Sequence, residues 1–256
     1  MKQNILGYRV ETLSGDQCVD DVFSVLRRQT GGPSRCAWLA CLNPHSYTVA
    51  LDDRAFAEAL QDSDWLVPDG AGVVMASKVL GIGVAERVTG SDVFLGLLQR
   101  MNAAGGMSVF FLGATLETLV LIHARMARDY PNIKVAGVYS PPFKATYSTA
   151  ENDEMVNAVN AAAPDVLWVG MTAPKQEKWI HANRVRLNVK FAGAIGAVFD
   201  FYAGRVKRSH PVFQRLGLEW LPRLVQQPRR LWRRMLVSAP VFVWHVFKQR
   251  FGRGRE

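Results

Sequence analysis

The sequence predicts an α/β fold: a Rossmann-like, largely parallel sheet with flanking helices, followed by a basic, aromatic-rich helical C-terminal appendage. Three observations predict it. Short apolar runs alternate with longer stretches of helical period over residues 1–202, the order expected of parallel strands joined by crossover helices. With 256 residues and 49% hydrophobic content there is material for one large core and an addition to it. The charge is also divided. Residues 205–256 hold 13 Lys/Arg and two acids, whereas residues 1–204 hold 18 basic and 20 acidic side chains. We therefore expect an α/β body over 1–202 and a cationic appendage over 203–256.

The elements follow in order. Ile5–Val10 reads as a first strand, and Asp16–Gln29 as a helix with Val19, Val22, Phe23 and Leu26 on one face. Arg35–Leu42 is a strand that stops at Asn43-Pro44, and Ser46–Gln61 is helical. Leu66-Val67 is a short strand before Pro68-Asp69-Gly70, with helices over Gly72–Leu80 and Ser91–Ala104, the latter capped by Ser91. A more regular series comes next: strand Ser108–Leu112, helix Leu116–Arg128, strand Lys134–Val138, loop Ser140–Ala150 and helix Glu151–Ala162. Strand Val166–Val169, helix Ala173–Arg186 and strand Phe191–Ile195 complete the body. In the appendage, Gln214–Gln227 reads as an amphipathic helix broken near Pro222. Pro228–Leu236 sets four arginines around Leu231 and Trp232, and Val237–Phe247 is apolar but interrupted by Pro240.

The composition excludes several classes. Cys18, Cys36 and Cys41 are too few and too scattered for a disulfide framework or a zinc site. No run of 18 uncharged apolar residues reads as a membrane span, and the first residues lack the long apolar core of a signal peptide. The five histidines show no metal-ligand spacing, and no DxD pair stands at a strand end, so no metal and no cofactor are expected.

Four strand ends share one design, in which a glycine-containing turn leads into a helix. They are Pro68-Asp69-Gly70, Leu112-Gly113-Ala114, Gly170 to Pro174, and Gly193 to Gly196. In an open parallel sheet the strand C-termini line the ligand crevice, and helix N-termini offer free N–H groups to phosphate. A phosphate-bearing ligand, such as a nucleotide, fits this arrangement, although each glycine alone is also explained by a tight turn. No GxGxxG follows the first strand, so the dinucleotide fingerprint is missing. Asp69 is either a general base at a strand end or the N-cap of the next helix, and the pattern favours neither. Arg87 can pair with phosphate or with a nearby acid. Asn43 can bond a sugar or form an Asx turn. Glu177 complements a helix dipole, while Gln176 has a donor and an acceptor to offer a base or sugar.

Taken together, the blocks LNPHSY (42–47), DWLVPDGAGVVMASKVLG (64–81), ERVTGSD (86–92), FFLGA (110–114), VGMTAPKQEKWI (169–180), GAIGAVFDFYAGRVKRSHP (193–211) and QRLGLEWLPRLVQQPRRLWRR (214–234) resemble the WecG/TagA/CpsF family of bacterial glycosyltransferases. The resemblance covers nearly the whole chain. It implies inverting, metal-independent transfer of a hexose or N-acetylhexosamine from a UDP-sugar to a polyprenyl-diphosphate-linked saccharide. The setting it implies is surface-polysaccharide synthesis at the cytoplasmic face of the bacterial inner membrane. Carried over by position, Asp69 matches the proposed base, and Asn43, Arg87 and Gln176 match polar pocket residues. With them we group Gly113, Gly170, Glu177, Gly193 and Gly196 as substrate-binding. Tail arginines match those that engage the lipid diphosphate, and we assign Arg208, Arg215, Arg223, Arg230 and Arg233 to that role. One departure stands out: Cys41 occupies a position where many members have threonine, and a thiol is a poor hydrogen-bond donor. LNPHSY leans toward a glucose-type donor.

Two competing readings are a nucleotide-cofactor oxidoreductase, disfavoured by the missing fingerprint, and a nucleic-acid-binding protein using the tail. Trp220, Trp232, Phe242, Trp244 and Phe247 interleave with the tail's arginines, as in an interfacial membrane segment. The expected partners are therefore the UDP-sugar, the lipid-linked acceptor and the membrane surface, with no nucleic acid. A homo-oligomer is compatible with the sequence.

Overall fold

The computed structural model describes residues 2–28, 35–206, 232 and 234–252. Its centre is a six-stranded, all-parallel sheet. The strands are β3 (Ala37–Leu42), β4 (Trp65–Pro68), β5 (Met107–Gly113), β6 (Ile133–Tyr139), β7 (Val166–Gly170) and β8 (Phe191–Ala194), in the spatial order β4-β3-β8-β7-β5-β6. The chain first builds one edge, crosses to build the other, and then fills the middle with β7 and β8. Loops leaving β4, β3, β8, β7 and β5 thus gather at one end of the sheet.

Both faces are covered, which is why the strands read as continuous apolar runs. Trp38, Phe110 and Leu167 enter one core and Leu39, Phe111 and Trp168 the other, following the strand's alternation. Helices α1 (Gly15–Arg28), α5 (Gly90–Ala104), α6 (Leu116–Asp129) and α9 (Val198–Tyr202) pack on the Phe111 side. On the Phe110 side lie α2 (Pro44–Asp52), α3 (Arg54–Asp62), α4 (Ala71–Val79), α7 (Thr149–Ala162), α8 (Lys175–Asn183) and a last helix, α10 (Ala239–Gly252).

Three expectations are corrected. The predicted first strand is a hairpin outside the main sheet, β1 (Lys2–Ile5) and β2 (Tyr8–Glu11). Leu6 and Gly7 both have positive φ, 54° and 87°, the geometry of a two-residue hairpin turn. The predicted helix Ser46–Gln61 is two helices: Asp53 leaves helical geometry (φ −120°, ψ 91°) and caps α3 by accepting the Phe56 N–H. Thr89, not Ser91, caps α5, in a reciprocal box with Asp92.

The last helix is docked on the body. A π-helical turn, Arg234–Ser238, leads into α10, and Pro240 sits in its first turn rather than interrupting it. Phe242 is only 2% exposed, and its ring meets Tyr47 edge-on at 5.5 Å. The Tyr47 hydroxyl bonds His245 at 2.5 Å, and the Leu6 N–H donates to Gln249 at 2.8 Å. Replacing Phe242 with alanine is expected to lower the unfolding free energy by about 3–5 kcal/mol. Urea denaturation of the full chain measures this, and a change below about 1 kcal/mol would mean that the helix docks without contributing to the core. The expected helix Gln214–Gln227 and the arginine cluster of Pro228–Leu236, apart from Trp232 and the π-helical turn, lie outside the described residues.

Candidate active site

The gathered strand ends enclose a cavity of about 850 Å3, within the usual size range for small-ligand sites. Asp69 stands on its wall at the end of β4. Its backbone N–H is fixed by the carbonyls of Leu42 (2.8 Å) and Val67 (3.0 Å). The structure decides one question the pattern left open. The cap position of α4 is Gly70, with φ +99°, which brings no side chain of its own to the helix's first N–H groups. Asp69 therefore stands one residue before the cap position rather than at it.

Asn43 also lines the cavity, but its side-chain oxygen serves α2. It accepts the N–H groups of His45 (3.1 Å) and Ser46 (2.9 Å), while the Asn43 N–H donates to the Ser46 hydroxyl (2.7 Å). Gln176 is similarly engaged. Its Oε1 accepts the Gly196 N–H (3.0 Å), and its Nε2 donates to Glu177 Oε1 (2.9 Å). One amide thus ties the first turn of α8 to the turn after β8, and a single Nε2 hydrogen is left for a ligand. Gly196, at φ +54°, permits that turn.

Cys41 lies among acids at the floor of the cavity. Burial, then the charges of Asp69 and Glu177, push its thiol well above the usual range, against one bond from the Gly90 backbone. A thiol held neutral is no nucleophile at pH 7. Glu177 is 2% exposed, and burial raises its carboxyl to about 7 despite the Gln176 amide and its own N–H.

Farther along the cavity, two groups appear that were not singled out in the sequence. Arg205 donates to Thr115 Oγ1 and Thr118 Oγ1, both at 3.0 Å, and reaches Glu117 at 3.3 Å, all in the first turn or cap of α6. Lys175 lies 5.1 Å from the Tyr147 ring centroid and 5.5 Å from that of Phe143, which is 97% exposed on the loop after β6. Arg205 was legible only as one basic residue in the GAIGAVFDFYAGRVKRSHP block. Its partners lie about 90 residues earlier in the chain, beyond the reach of local pattern.

The model of the family described as "Glycosyl transferase WecG/TagA/CpsF family" matches residues 3–256. The chain belongs to this glycosyltransferase family. It is similar to an N-acetylglucosaminyldiphosphoundecaprenol N-acetyl-beta-D-mannosaminyltransferase of Bacillus spizizenii, with 35% identity over 83% of this chain and 79% of the relative. Proteins with the same name show 33% identity in Bacillus subtilis (83% and 80% covered) and 28% in Staphylococcus aureus (96% and 92% covered).

The structure brings together Asp69, Asn43, Gly170, Gln176, Glu177 and Gly196 of the residues that the family resemblance and strand-end pattern picked out. Gly113 and Gly193 stand back from the cavity wall. A side chain on Gly193 would meet the Trp168 ring at 2.3 Å, and one on Gly113 would meet the Gly170 carbonyl at 2.5 Å, so both glycines serve close packing. Arg87 is half-buried just outside the cavity lining. Its neighbour Val88 is tied by its N–H to the Pro68 carbonyl (3.2 Å), beside Asp69. Arg208, Arg215, Arg223, Arg230 and Arg233 lie outside the described residues. Among the described residues, no group of three or more His, Cys, Asp and Glu could hold a metal ion, and no helix is long and apolar enough to cross a membrane.

Proposed function

We propose that this glycosyltransferase moves a sugar from a UDP-sugar to a hydroxyl of a polyprenyl-diphosphate-linked saccharide, with inversion and without a metal. The observation that carries the reading is Asp69: a carboxylate on the cavity wall at a strand end, one residue before the cap position of the next helix. Asp69 takes the proton of the acceptor hydroxyl as its oxygen attacks the anomeric carbon, and UDP leaves from the opposite face. The leaving diphosphate needs donors fixed in place before reaction. The first turn of α6 with Arg205 is one such place, and Arg87 and the tail arginines are others. The names of the relatives favour an N-acetylmannosamine donor and an N-acetylglucosamine-bearing acceptor over the glucose toward which LNPHSY leaned.

The same reading divides the labour between a catalytic body, 1–202, and an appendage, 203–256, that meets the lipid acceptor at the cytoplasmic face of the inner membrane. Support comes from α10, whose outer side exposes Trp244 (67%) and Phe251 (73%) beside Lys248 and Arg250. Exposed aromatic and basic residues on one helix suit a membrane interface.

The test is a donor screen. UDP-N-acetylmannosamine, its uronic acid and UDP-glucose are each incubated with synthetic polyprenyl-diphosphate N-acetylglucosamine, and products are read by mass. One donor should add one sugar; no product with any of them overturns the reading. Turnover with that donor should persist in excess EDTA after dialysis. A loss restored by Mg2+ or Mn2+ would overturn the metal-free mechanism.

A further inference from the structure

We propose that Glu177 is the specificity-determining residue for the transferred sugar, its Oε2 accepting a hydrogen bond from a hydroxyl or amide N–H of the hexose. The inference rests on the nucleotide-sugar reading above and identifies which part of that ligand meets this side chain.

Three observations carry it. Glu177 lines the cavity and is 2% exposed, yet Oε2 has no hydrogen-bond partner among the described residues. A buried oxygen of this kind costs free energy unless something donates to it. Second, the carboxyl is held in place. Gln176 Nε2 donates to Oε1 at 2.9 Å, and Gln176 is itself pinned by the Gly196 N–H at 3.0 Å. An acceptor so oriented loses little freedom when a ligand arrives.

Third, its place along the sheet matches the order of the reacting parts. Across the strand ends run Asp69 after β4, Cys41 on β3, Gly196 after β8, Glu177 after β7 and Thr115 after β5, with Arg205 bonded to Thr115. If the acceptor hydroxyl is at Asp69 and the diphosphate is at the first turn of α6, the hexose lies between them, which is where Glu177 stands.

The same geometry makes donor binding pH-dependent. Among the described residues, the Cys41 thiol of β3 lies within reach of the Glu177 charge, and it feels the Asp69 carboxylate after β4 as well. Neither offers a positive charge. On its own helix, Lys175 turns to Phe143 and Tyr147, and Lys178 pairs with Asp53. Burial raises the carboxyl to about 7, where it is half protonated at that pH. A sugar hydroxyl donates best to the ionised form, so binding drives the proton off. Affinity for the donor therefore increases as pH rises through 7.

Calorimetry of the full chain, repeated in phosphate and Tris buffers at pH 7, counts the protons. UDP-N-acetylmannosamine should release about half a proton per site more than UDP, as follows from a group titrating near 7. Glu177→Gln should abolish that difference and weaken UDP-N-acetylmannosamine about ten-fold or more, leaving UDP unchanged. An unchanged affinity of Glu177→Gln for UDP-N-acetylmannosamine overturns the proposal. So does a Glu177→Gln protein in which both ligands weaken alike. Failure of both nucleotides to bind the unmodified chain would instead overturn the nucleotide-sugar reading, and this inference with it.

Discussion

Asp69→Asn lowers turnover by about 10²–10⁴-fold, the usual effect of losing a general base, and leaves UDP affinity unchanged. The substitution keeps size and hydrogen-bonding capacity but removes the basic lone pair at pH 7. The fold should survive, because the backbone of this residue is held independently of the substituted group. Its N–H is held by Leu42 and Val67, and α4 begins from Gly70 without a side-chain cap. The measurement is kcat under saturating donor and acceptor, with UDP binding followed in parallel. A variant within a few-fold of the parent would deprive Asp69 of any role as base. Parallel loss of UDP affinity and turnover would assign it to binding.

Asp69 was legible in the sequence for a local reason. A strand followed by Pro-Asp-Gly and then a helical period announces a strand end, and strand ends in a parallel sheet border the crevice. The same logic located Asn43, Gly170, Gln176 and Glu177. What local pattern could not carry was the use each side chain makes of its neighbours. Gln176 reads as a free amide in the sequence, yet it is spent on Gly196, 20 residues later. Gly193 reads as a ligand-approach glycine but makes room for Trp168. The break at Asp53 was hidden because Ala50, Phe56, Ala59 and Leu60 keep an apolar face on both sides of it. The hairpin was hidden because Leu6, a residue that rarely takes positive φ, occupies the turn. In each case a contact or backbone state, absent from periodicity, decided the outcome.

Removing the chain after Val206 should abolish nearly all transfer to a lipid-linked acceptor while preserving UDP binding. The main sheet and the described lining of its cavity lie within residues 37–206, so the nucleotide site keeps those walls, Arg205 included. The removed segment contains 12 of the chain's 31 Lys/Arg and the exposed aromatics of α10. Basic residues near an anionic surface each contribute about 1 kcal/mol, and a few acting together suffice for stable attachment. Liposome flotation should therefore show binding by the full chain and none by the truncated one. The truncation also uncovers Tyr47 and the core surface that Phe242 and Val246 cover, so stability should fall along with attachment. A water-soluble acceptor with a short prenyl chain separates the two roles. If the segment acts only by tethering, activity on that acceptor survives truncation. If the tail arginines hold the acceptor diphosphate, activity is lost there too, and we expect that loss. A truncated protein that fails to bind UDP and unfolds would show that α10 belongs to the catalytic core, with no separable body ending near 202.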